Sequence, residues 1–238
     1  MVAWRHAAVV LGLVAGLGVP TPAAAADGSD TNRWRAHLGT DLGSWVRSVP
    51  WPHRIGGPSG SRDYLGVVGV KRLRLGGGLG HGFRDRFVVG MRLDYEISRG
   101  VQRSLVPNAE ARAVTMTAMP YFTVMADPHH IVRPYLSLRA GLGGGLVTVR
   151  DASPLDRPER SSSLIYPLLG LDLGAHAFVS PDVSLDGSVS LDHRWETMRD
   201  TTPAPVVPGG ADLQDDAGHQ AFGRRYNASI VLAVSRWF

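Results

Sequence analysis

Apolar and polar residues alternate along most of the chain beyond residue 33. From Phe87, the run FVVGMRLDYEIS puts Phe87, Val89, Met91, Leu93, Tyr95 and Ile97 on one face and Val88, Gly90, Arg92, Asp94, Glu96 and Ser98 on the other. That period of two is the mark of a two-faced β-strand. VSLDGSVSLDHRW repeats it, with Val183, Leu185, Val189, Leu191 and Trp195 set against Ser184, Asp186, Ser188, Ser190, Asp192 and Arg194. Further strand patterns run over 33–43, 71–83, 112–126, 135–149, 164–179 and 221–238, so eight strands are expected. Residues 63–70 (DYLGVVGV) read either as an extension of the second strand or as loop.

The connections alternate in length. Strands two, four and six are followed by the short links 84–86, 127–134 and 180–182, whereas one, three, five and seven are followed by long polar stretches near 44–63, 99–111, 150–163 and 197–220. Short turns at one rim and long loops at the other predict an all-β, eight-stranded antiparallel up-and-down transmembrane β-barrel, with both termini on the short-turn side. A soluble lipocalin-like barrel with its apolar face inward would alternate in the same way. The glycine rows separate the two. Gly76, Gly78, Gly80 and Gly82, and Gly141, Gly143 and Gly145, lie on the polar face; outside they would only weaken the strands, whereas inside a narrow barrel they make room for long side chains. The apolar face therefore points outward, because inverting the third strand would set Arg92 against hydrocarbon at about 2–4 kcal/mol near the midplane.

Composition restricts the function classes. Residues 1–26 carry Arg5, an apolar stretch Ala7 to Val19 and small residues Ala23 to Ala26, the layout of a cleaved secretory signal peptide. The apolar stretch falls short of the roughly 20 residues of a membrane helix, and the barrel domain is expected over 27–238. With 29 Gly and 16 Pro a helical protein is disfavoured, and zero Cys removes disulfides, thiol catalysis and Cys-ligated metals. The net charge of +4 would suggest nucleic acid for a cytoplasmic chain; in an exported one the polyanion is anionic lipid, and no nucleic-acid partner is expected.

LRLGGGLGHGFRDRFVVGMRLDYE, PYLSLRAGLGGG, LGLDLGAHAFVSPDVSLDGSVSLDHRW and the terminal Phe238 resemble the small outer-membrane β-barrels of the opacity-protein and OmpA/OmpX type. The resemblance covers nearly all of the mature chain and rests on strand patterns. It implies an outer-membrane location with periplasmic termini, and a last strand read by the barrel-assembly machinery, for which Ile230, Leu232, Val234 and Phe238 fit. Arg236 departs from that pattern, and a snorkelling stem at the periplasmic rim accommodates it.

Closing hairpins over the short links makes the interior testable. If Phe83 is opposite Phe87, Arg74 faces Glu96 and Arg72 faces Ser98; Val179 opposite Val183 brings His176 to Asp186; Ala126 opposite Pro134 brings Arg139 to Tyr121. Together with Arg92, Asp94, Asp192 and Arg194 these predict a packed polar network in the lumen, since a buried charge needs a partner. Other chemistry is weaker. His129 and His130 diverge in a turn and lack a third metal ligand; the inward serines near His176 and Asp186 do not reach the lipid surface; DHRWE (192–196) has His193 without the serine of a His-x-Ser-Asn deacylase signature; and Asp215 and Asp216 read as solvated. GGLGHG and GLGGG lack the following helix of a nucleotide loop. No catalytic residue, metal or cofactor is expected. Lipopolysaccharide contacts are assigned to Arg47, Arg54, Arg62, Arg99, Arg103, Arg150, Arg157 and Arg160 around the long loops, because guanidinium matches phosphate. Trp195 and Tyr226 at that rim, and Trp34, Phe83 and Phe87 at the other, are expected as aromatic girdles. The resulting reading is a non-enzymatic barrel serving envelope integrity or surface contact; the alternatives are a narrow OmpW-like channel and a lipid A-modifying enzyme.

Overall fold

The computed structural model describes residues 33–50, 67–84, 86–102, 109–126, 130–150, 160–200 and 220–238. They form eight strands: β1 Arg33–Pro50, β2 Val67–Phe83, β3 Phe87–Gln102, β4 Ala109–Met125, β5 Val132–Arg150, β6 Arg160–Ser180, β7 Val183–Asp200 and β8 Gln220–Trp237. Each pairs antiparallel with its sequence neighbour, and β1 pairs with β8 to close the barrel. Closure leaves no strand edge unpaired. At the short-turn end Trp34 and Phe238 exchange backbone hydrogen bonds of 3.1 and 2.8 Å, so the last residue is fastened to the first strand.

β1 to β7 are each longer than their apolar runs suggest, while β8 has the expected length, displaced by one residue. Residues 67–70 belong to β2, which resolves the ambiguity of that stretch in favour of a strand extension, whereas 63–66 lie outside the described residues. Ladder hydrogen bonds keep pairing the backbone after the outward side chains turn polar, so periodicity alone cuts the strands short chiefly at the long-connection rim. Two hairpins have the expected register, Phe83 opposite Phe87 and Ala126 bonded to Pro134. In the third the register slips at the turn and Ser180 meets Val183, yet His176 still stands opposite Asp186. Arg84 takes the left-handed conformation, φ 52°, that a tight hairpin link demands. A bulge in β1 between Asp41 and Gly43 shifts which residues face inward, so that Ser44 and Val46 continue the inner row.

Orientation is decided by exposure. Met91, Leu93 and Leu191 are 50, 59 and 45 % exposed, while Arg92 and Asp192 are 8 and 4 % exposed. Apolar residues coat the outside and the charges fill the middle. One section of the interior is apolar, built by Ala113, Met119, Val147, Leu164, Tyr166, Leu168 and Met198 of β4 to β7, and a second apolar group, Val88, Tyr121, Met125 and Trp237, packs inside with Tyr135 and Phe178. The sequence reading did not anticipate these inward apolar clusters. The glycine rows sit inside as expected: a Cβ on Gly76 would overlap the Asp94 carboxylate, one on Gly80 the Tyr121 hydroxyl, and one on Gly143 the Tyr166 ring.

Candidate functional site

The lumen is organised by ion pairs. Among the described residues seven arginines (Arg35, Arg72, Arg74, Arg92, Arg139, Arg194, Arg225) pair with seven carboxylates (Asp41, Asp94, Glu96, Asp172, Asp186, Asp192, Glu196). The formal charges cancel. Alternation brings these groups together, because each lies on the inner face of its strand and the narrow bore of a small barrel brings strands on opposite sides within reach.

The central group bridges the barrel. Arg74 donates from Nη1 to Asp192 Oδ2 at 2.9 Å and from Nε to Asp94 Oδ2 at 2.6 Å, and Arg92 Nε meets Asp94 Oδ1 at 2.7 Å. Arg139 Nη2 reaches Asp172 Oδ1 and Asp192 Oδ1, each at 2.8 Å, and Ser190 Oγ at 2.6 Å. Asp192 thus joins the arginines of β2 and β5. A second group holds Glu96 between Arg72 Nη2 (2.8 Å) and Arg194 Nη2 (2.7 Å), with Arg225 Nε against Glu196 Oε1 at 3.1 Å and Asp41 beside Arg72 at 3.7 Å. The third lies nearer the short turns. Asp186 accepts from Arg35 Nη2 at 3.0 Å and Ser184 Oγ at 2.8 Å and contacts Ser235 and His176 Nδ1; His176 in turn stacks on Tyr135. A cavity of about 30 Å³ lined by Arg35, His37, Tyr121 and Asp186 adjoins it, enough for about two waters.

All ten residues expected in the polar network are inside and buried: Arg74, Arg92, Asp94, Glu96, Tyr121, Arg139, His176, Asp186, Asp192 and Arg194. Their bonding differs from simple opposition. Arg74 stands opposite Glu96 in the register but bonds Asp94 and Asp192, and Arg139 stands opposite Tyr121 but bonds Asp172 and Asp192. Long guanidinium stems lean along the strands and across the lumen, so the carboxylate they reach is not the nearest backbone neighbour. The sequence reading missed Arg35, Asp41, Asp172, Glu196 and Arg225. Arg35, Asp172 and Arg225 fall on the inner parity of their strand patterns, which marks them, whereas Glu196 lies just past the end of its apolar run.

His176 is the histidine that a hydrolytic reading would use. It is fully buried, Nδ1 meets Asp186, and Nε2 has no hydrogen-bond partner, so no serine stands where a nucleophile would. His193 points outward between Trp195 and Tyr226, with ring centroids 4.1 and 4.4 Å away. His130 is exposed in its turn, and His129, Asp215 and Asp216 lie outside the described residues.

At the short-turn rim Phe83, Phe87 and Phe122 stack in sequence, and Trp34 is 57 % exposed beside His81. On β8 Ile230 and Leu232 are exposed and Val234 is half-buried; Phe238, just past the strand, is exposed, and the Arg236 guanidinium lies 5.2 Å over its ring. Of the loop arginines, Arg99 is exposed on β3. The backbones of Arg47, Arg150 and Arg160 lie on β1, β5 and β6, while Arg54, Arg62, Arg103 and Arg157 lie outside the described residues.

No family model and no curated protein matches the chain. Among solved structures, the Neisserial surface protein A is similar at 15 % identity over 87 % of this chain and 99 % of its own, TM-score 0.41. Ail, the attachment invasion locus protein of Yersinia pestis, solved in complex with the heparin analogue sucrose octasulfate, is 12 % identical over 87 and 99 %, TM-score 0.42. The outer membrane protein OprG from Pseudomonas aeruginosa is 13 % identical over 89 and 98 %, TM-score 0.44.

Proposed function

We propose that the chain is an integral outer-membrane barrel with a closed, ion-paired lumen, non-catalytic, serving the cell envelope as a structural or surface-contact protein through its four long connections. The observation that carries this reading is the inversion of an ordinary soluble fold, with an apolar coat outside and, inside, seven arginines matched by seven carboxylates. In water that coat would be a liability; against acyl chains it is the stabilising face. Its height fits. Phe87 to Ile97 on β3 spans about 34 Å of strand at ~3.4 Å per residue. Tilted by ~40°, this gives about 26 Å, against an apolar band of ~25 Å in known barrels.

In this reading residues 1–26 direct export, the termini and short turns face the periplasm, and the long connections face outward, where their arginines meet lipopolysaccharide phosphates. Ile230, Leu232, Val234 and Phe238 form the surface presented to the barrel-assembly machinery. The test is membrane fractionation followed by electrophoresis of boiled and unboiled samples. A detergent-extractable protein whose unboiled form migrates differently is expected, and recovery in the soluble fraction without detergent would overturn the proposal.

A further inference from the structure

Near the long-loop rim the outer face carries a like-charge pair; the lumen holds one too, Arg194 opposite Arg225, but answers it with Glu96 and Glu196. Arg99 of β3 stands opposite Arg112 of β4, and both are exposed. Thr148 of β5 stands opposite Arg112, and on the other side Lys71 of β2 is opposite Arg99 in the backbone register. Directly opposed residues on neighbouring strands have Cβ atoms about 4.5–5.5 Å apart, and like charges at that spacing destabilise a sheet. The lumen answers each arginine with a carboxylate, yet among the described side chains on the outward faces of the strands there is none. Neither Arg99 nor Arg112 makes a hydrogen bond or ion pair within the described residues.

The next row toward the belt is apolar, with Ile97 opposite Val114, and the row after it pairs Tyr95 with Met116, 40 and 63 % exposed. Rows on one face are about 7 Å apart along a strand. A lipid whose chains cover Tyr95, Met116, Ile97 and Val114 therefore brings its headgroup phosphate level with the two guanidiniums. A dianion between them replaces repulsion with charge-assisted, bidentate hydrogen bonds.

We propose that Arg99 and Arg112, with the Thr148 hydroxyl beside them, form a binding site for the phosphomonoester headgroup of a membrane lipid. The site rests on the membrane reading above and adds a location and a headgroup class to it. The chain, refolded into phosphatidylcholine vesicles containing phosphatidic acid, is examined by native mass spectrometry for retained lipid, beside Arg99→Gln/Arg112→Gln and the control Arg199→Gln. The parent and the control are expected to retain phosphatidic acid about tenfold or more over phosphatidylcholine, the scale of charged hydrogen bonds, and the double variant to lose that preference. Inorganic phosphate is expected not to displace the lipid. Equal retention by the double variant, no preference in the parent, or displacement by inorganic phosphate each overturns the site while the barrel remains inserted. Failure to insert, read from the absence of a heat-modifiable band, overturns the membrane reading and the site with it.

Discussion

Asp192 shows at the scale of one residue how the interior is held. It is 4 % exposed and accepts from Arg74 on β2 and Arg139 on β5, so its removal leaves two buried guanidiniums each short of a partner. Breaking a buried pair from one side costs about 3–5 kcal/mol, because the remaining charge stays desolvated. Asp192→Ala is expected to lose that much in urea unfolding of the refolded barrel, while Arg199→Ala, at an exposed outer position, is expected within about 0.5 kcal/mol of the parent. A loss below about 1 kcal/mol for the first would mean that the lumen pairs are not the clasp described here. The glycines complete the picture. Gly170 lies where a Cβ would press on Asp192 and Arg139, so the ion pair and the missing side chain occupy one space.

At the scale of the element, each strand is a boundary between two solvents. On β3, Leu93 is outward and Arg92 and Asp94 are inward. Leu93→Arg is expected to destabilise the vesicle-inserted barrel by about 2–4 kcal/mol, measured by reversible unfolding from lipid, and a near-zero effect would place Leu93 outside hydrocarbon. For the end of β8 the proposed role is presentation to the barrel-assembly machinery. Phe238 is 61 % exposed and its backbone is bonded to Trp34, so the aromatic ring contributes little to the core that Trp237 fills. Phe238→Ala should therefore lower the amount of folded barrel recovered from cell membranes while leaving refolding into detergent micelles unchanged. Parallel losses in both assays would assign Phe238 a structural rather than an assembly role. Most of this was legible beforehand: the strands, their inner and outer faces, and the hairpin registers follow from period-two patterning and three short links. Strand ends at the long-connection rim were not, because ladder bonds continue past the apolar run, and the β1 bulge was missed although Leu42 and Trp45, both outward but three apart, break the period of two in TDLGSW.

For the whole molecule, the question is whether anything passes. The Arg74, Asp94, Asp192 and Arg139 group crosses the lumen, and Met119, Leu164, Tyr166 and Leu168 fill one side of it. Eight strands enclose about the volume their side chains need. Planar bilayers containing the barrel are therefore expected to show no discrete conductance steps above background. Steps that persist in purified, heat-modifiable protein would favour the narrow-channel alternative.

The sequence by itself determined the class, the number of strands, which face of each meets the outside, and the ten charged and polar residues that meet within, because alternation is a local property and a closed sheet leaves it one consistent arrangement. Tertiary structure decided who bonds whom. Arg74 and Arg139 both reach Asp192, from strands far apart in sequence, because shear and side-chain length set distances across the lumen that no register of a single hairpin contains. It also decided that Arg99 and Arg112 stand side by side on the outer wall, a neighbourhood that exists only once β3 and β4 are paired along their full length.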